Sequence, residues 1–211
     1  MKTIVHDTNS FLLSLVILAE LLVHSSPRPT PSPSLCSMFG SMIHHVEKLI
    51  NSSKKLHDLT DNQLLNFVDV EHKLDGLPVI PHTAAHFRSL KVNESLSQLY
   101  VYTESFRLHA KWLKTVRENV SVPSQAAEGA SIHLKHLSDL INASLDQVRA
   151  AVPESAPPSL PVVSTAFDAL RFSVEISERL QVFCHWSKRV LRHLQKQSHS
   201  PPLPTLVLSR L

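Results

Sequence analysis

The side chains with the most chemistry to offer are histidines. The chain carries 14 of them, and a neutral imidazole is a common zinc ligand. His44 and His45 are adjacent, so on a helix they point in different directions. His133 and His136 are three residues apart and share a helix face, but no carboxylate or thiol completes a zinc set at that spacing. His82 and His86 fall in a proline-flanked segment. All six read as solvent-facing histidines, and no metal is expected. GxSxG, GxGxxG, a P-loop, HExxH and CxxC are all missing from the sequence. Glycine occurs only at Gly40, Gly76 and Gly129, so phosphate-cradling loops and nucleophile elbows cannot be built. The expectation is a chain that is not an enzyme and needs no cofactor.

Binding chemistry is better represented. Lys188, Arg189, Arg192, His193 and Lys196 cluster near the end of the last long apolar-periodic segment, and Arg189, Arg192 and Lys196 share a face. Such cations complement the C-terminal end of a helix dipole. They also suit an acidic partner surface or a sulfated glycan such as heparan sulfate. Phe172, Ile176, Phe183, Trp186 and Val190 add a second apolar stripe to that segment. A helix with two stripes is either central or carries a contact patch, and Trp beside Arg is a hot-spot composition. The net charge of +3 with neutral His is too small for a nucleic-acid partner.

These groups must be positioned by helices. With 43% hydrophobic and 18% charged residues, the chain is too apolar to be wholly disordered. Its 14 prolines are segregated and leave four proline-free windows, 34–77, 82–122, 124–152 and 162–200. Proline breaks helix interiors, so helices belong inside the windows. Each window has apolar residues every three or four positions, for example Met38, Met42, Val46 and Leu49, or Leu134, Leu137, Ile141 and Leu145. The fold expected is an all-α, long-chain four-helix bundle. The link at Pro123 is short, whereas the links around 60–92 and 152–162 are long. Two long crossover connections around a short one describe an up-up-down-down bundle, with an up-down-up-down bundle carrying a decorated loop as the alternative.

The ends have their own chemistry. Residues 1–25 read as a signal peptide, with Lys2 before the apolar run 11–23 and small Val23 and Ser25 at a cleavage site. The apolar run is shorter than the roughly 20 residues a membrane span needs. A proline-rich extended lead follows at 26–34, the bundle domain occupies 35–197, and 198–211 is expected to be a disordered tail. Asn51, Asn93, Asn119 and Asn142 begin N-glycosylation sequons, which fits a secreted, extracellular glycoprotein. No membrane insertion is expected after cleavage, and a monomer is expected before any partner assembles. The two cysteines, Cys36 and Cys184, read in an oxidising compartment as one disulfide, or alternatively as buried thiols.

Two blocks bring the chain to a family. His72-Lys-Leu-Asp-Gly-Leu-Pro78, followed by His109-Ala-Lys-Trp112-Leu113-Lys114, resembles the H-x-L-D-x-L-P and H-x-x-W-L-[KR] of interleukin-11 at the same separation. Phe167, Arg171, Trp186 and Arg189 resemble the spacing of that family's fourth helix. The resemblance implies a secreted cytokine or growth factor that binds an interleukin-11-type α-receptor and the shared receptor glycoprotein 130, and so triggers JAK–STAT signalling. It implies a site I of Arg189, Arg192 and His185, and a site III of Phe167 and Arg171, where mammalian members have Trp in place of Phe167. Site II is implied only as faces of the first and third helices. Mammalian members lack the cysteines, have a longer third crossover and end sooner after the fourth helix, so a divergent, non-mammalian branch is implied. Two alternatives remain at this point: a cytokine resembling leukaemia inhibitory factor, and a secreted amphipathic-helix carrier of lipids or small molecules.

Overall fold

The computed structural model describes residues 34–65, 74–81, 90–154 and 156–199. The signal peptide, the proline-rich lead, most of the tail and the His82/His86 segment lie outside these residues. The described elements are α1 (Leu35–Ser53), a single turn α2 (Asp61–Leu64), α3 (Val92–Asn119), α4 (Gln125–Gln147) and α5 (Ala166–His199). Four long helices thus fall one to a window, and no strand occurs among the described residues.

Cross-helix contacts fix the topology. Ser177 at mid-α5 donates to the Ser53 carbonyl at the end of α1, whereas Gln195 reaches the Cys36 carbonyl at its start, so α1 and α5 are antiparallel. Ser144 reaches Met38 while the His45 ring lies by His133, so α1 and α4 are antiparallel too. Ser138 donates to Glu104 and Lys114 pairs with Glu128, which makes α3 antiparallel to α4. Phe106 stacks on Phe183 while Trp112 meets Phe172, which makes α3 antiparallel to α5. The four relations together allow only up-up-down-down. The last link, 148–165, is longer than the window suggested, because α4 stops at Gln147 and α5 starts at Ala166. At about 3.3 Å per residue it has ample reach to return along the roughly 35 Å of α4.

The apolar stripes meet on the bundle axis. Phe39, Met42, Leu49, Phe106, Leu113, Leu134, Ile141, Leu180, Phe183 and Leu191 have no solvent exposure. Each such side chain contributes roughly 1.5–3 kcal/mol of burial. Three hydroxyls inside the core are satisfied locally: Thr103, Ser144 and Ser187 each donate to the carbonyl four residues earlier. The second stripe of α5 is buried as well, with Phe172, Ile176, Phe183, Trp186 and Val190 all in the core. That stripe therefore packs against α3 and is not a contact patch.

Helix ends show the cost of so few glycines. Ser121 and Arg149 take φ of 57° and 55° just past α3 and α4. Val122 and Ala150 N–H bond back to the Arg117 and Leu145 carbonyls, closing Schellman caps. Glycine usually holds that left-handed position, and here a serine and an arginine do. The one left-handed glycine among the described residues, Gly76 at φ 81°, lies in the first crossover where it meets the last one. A Cβ at Gly76 would sit 2.8 Å from Pro158 Cβ. Gly76→Ala is expected to cost about 2 kcal/mol or more, from left-handed strain plus this clash. A urea-unfolding midpoint equal to wild type would refute it.

The disulfide expectation is corrected by the fold. Cys36 lies level with Gln195 of α5, eleven residues beyond Cys184. At 1.5 Å rise per residue the two cysteines are separated by about 16 Å along the bundle, and a disulfide tolerates no more than about 7 Å between Cα atoms. Cys184 is a wholly buried thiol, and burial pushes its pKa up. The sequence argument considered compartment and count, not height along antiparallel helices.

Candidate receptor-contact site

The first crossover is fastened to the bundle by residues of both motif blocks. His109 on α3 is fully buried. Its Nδ1 faces the Ser105 carbonyl at 2.8 Å and its Nε2 the Asp75 carbonyl at 3.1 Å. Ser105 donates to the Gly76 carbonyl at 2.6 Å. Buried Glu175 of α5 accepts from the Leu74 N–H at 3.1 Å. Leu77 and Ile80 then insert into the core while Val79, 80% exposed, stays outside. The Tyr102 hydroxyl donates to the Val79 carbonyl, and its ring packs 5.5 Å from that of Trp186. The crossover thereby carries exposed apolar surface to the level of Trp186.

On α5 the residues expected for site I emerge on one stripe. His185, Arg189 and Arg192 are spaced i, i+4, i+7 and all are exposed. Part of the basic cluster is committed elsewhere. Lys188 Nζ lies 2.6 Å from Glu47 Oε1 on α1, and Arg192 Nη2 lies 3.9 Å from it. The Lys188 hydrogen bond and charge hold the Glu47 carboxyl below its ordinary pKa, aided by Arg192. Trp186, placed beside Arg189 in the sequence, points inward against Tyr102 and Phe183.

The other end of α5 carries the residues expected for site III. Thr165 opens the helix: its Oγ1 accepts from the Asp168 N–H at 3.1 Å and its hydroxyl donates to Asp168 Oδ2 at 2.6 Å. Phe167, in the first turn, is 61% exposed. Arg171 is half-buried, 3.6 Å from Asp168 and 4.6 Å over the Phe172 ring, which meets Trp112 edge-on. Arg171 therefore braces the start of the helix, while the Phe167 ring projects from it. About 33 Å of helix separates Phe167 from Arg189.

Asn51, Asn93, Asn119 and Asn142 are all exposed, so a glycan at any of them would project into solvent. No described helix is long and apolar enough to cross a membrane. Sequence reasoning missed Arg117, which is buried at the far end of the bundle. Its position four residues past Leu113, on the core stripe of α3, was the available signal. It also missed that His45 joins His133 and His136 across α1 and α4.

The family model described as Interleukin 11 matches residues 29–198 of the 211. No curated protein matches the chain. The match spans all four long helices and both crossovers, and the chain belongs to the interleukin-11 family.

Proposed function

We propose that this cytokine is secreted after cleavage of residues 1–25 and signals by joining an interleukin-11-type α-receptor to glycoprotein 130, which starts JAK–STAT signalling. The observation that carries this reading is the pair of exposed surfaces on α5. We read the exposed cationic stripe of His185, Arg189 and Arg192 as site I, and exposed Phe167 in the first turn of the same helix as site III. Two separate surfaces on one rigid helix suit a ligand that brings two receptor chains together. A flat, exposed aromatic ring is a typical anchor for a partner surface. Arg171 positions that end. The interior needed by a lipid carrier is instead occupied by Phe39, Met42, Phe106 and Phe183.

The test separates the two surfaces. Co-precipitation of the secreted protein with α-receptor and glycoprotein 130 ectodomains is expected to recover both. Phe167→Ala is expected to leave α-receptor binding within about twofold, because exposed substitutions change the fold little. It should weaken STAT phosphorylation at least tenfold, the loss of an aromatic anchor. Equal signalling by the variant would remove Phe167 from site III.

A further inference from the structure

We propose that His45, His133 and His136 form a binding site for a divalent transition-metal ion, with zinc the best fit, that bridges α1 and α4. One ring nitrogen from each histidine lies within 4.8 Å of the others. The His45 ring centroid is 5.9 Å from that of His133 and 5.3 Å from that of His136. Tetrahedral zinc with Zn–N bonds near 2.0–2.1 Å holds its nitrogens roughly 3.3 Å apart. Small side-chain rotations close that difference without moving either helix.

Two further observations support a metal. The Nδ1 atoms of His45 and His133 are buried and have no hydrogen-bond partner, and coordination through Nδ1 would satisfy each directly. Finally, no carboxylate contributes to the donor set. An all-imidazole site favours zinc or copper over calcium or magnesium.

The arrangement explains why no motif announced it. His133 and His136 come from one helix face and the third ligand from a helix almost ninety residues away in the sequence. His136 is exposed and His45 and His133 are half-buried, so the fourth coordination position faces outward. Water fills it in the isolated protein, and a side chain from a bound partner could take its place. The metal ties the two helices that carry its ligands.

Tag-free, full-length secreted protein titrated with zinc chloride at pH 7.4 tests the site. Isothermal titration is expected to show one equivalent bound with a Kd of about 10 μM or tighter. At a hundredfold excess over Kd, Tm should rise by about 5–10 °C. Cobalt should give the intense visible absorption of a four-coordinate centre. His136→Ala removes an exposed side chain and keeps the fold, and it should weaken zinc binding at least tenfold. His45→Ala should do the same. His44→Ala, which removes the adjacent histidine outside the set, should stay within twofold. Zinc binding at wild-type strength in His136→Ala and His45→Ala, or no binding below about 1 mM, overturns the proposal.

Discussion

Replacing Arg117 with methionine is expected to lower Tm by about 10–15 °C, a loss of roughly 3–5 kcal/mol. Arg117 is 2% exposed and holds four parts of the chain together. Its Nη1 donates to the Leu56 carbonyl at 2.7 Å, beyond α1, and to the Ser173 hydroxyl at 2.8 Å on α5. Its Nε donates to the Pro123 carbonyl in the α3–α4 turn. Its Nη2 lies 3.5 Å from Asp58. Asp58 is 59% exposed, so that ion pair adds little. The effect comes from the carbonyls and the hydroxyl, which methionine would leave without their donor, at about 1–3 kcal/mol for each buried group. Arg117→Lys keeps the charge but loses the planar fork, and should fall between the two. Thermal unfolding followed by circular dichroism decides it, and a Tm within about 3 °C of wild type for Arg117→Met would show that the network is dispensable.

Arg189→Glu is expected to reduce α-receptor affinity at least a hundredfold with no change in helix content. The residue is exposed on α5, so the fold should tolerate reversal of its charge within about 0.5 kcal/mol. An arginine at the centre of an interface accounts for 2 kcal/mol or more when removed, and reversing the charge adds repulsion against an acidic partner surface. Arg192→Glu should have a smaller effect, because Arg192 also faces Glu47 on α1. Surface plasmon resonance on the immobilised ectodomain reads both. Wild-type affinity for a folded Arg189→Glu would move site I off this stripe.

Much of the architecture was legible because proline and apolar spacing act along one helix at a time. The windows located all four long helices, and the link lengths gave their directions. What periodicity does not reveal is height and facing between helices. Cys36 and Cys184 fail to meet because antiparallel α1 and α5 place them at different levels. His45 meets His133 and His136 because α1 and α4 turn those faces together. Arg117 occupies a core position with a charged side chain, which a search for apolar residues passes over. Phe167 is exposed because α5 begins at Ala166 and leaves its first turn outside the core. The residues proposed as receptor contacts rest on resemblance, since nothing in their spacing distinguishes a receptor contact from a solvated face.

The fastening of the first crossover has a consequence for how such chains diverge. The blocks that make this sequence recognisable, Asp75-Gly76 and His109 with Trp112, bond or pack inside the molecule. A change there must be paid in folding, whereas His185, Arg189 and Arg192 can be exchanged with almost no structural effect. Kinship in this sequence is therefore written in the clasp, and under the proposed function partner choice lies in the open stripe. The two can drift at different speeds, so a relative can keep the same bundle and clasp while answering to a different receptor.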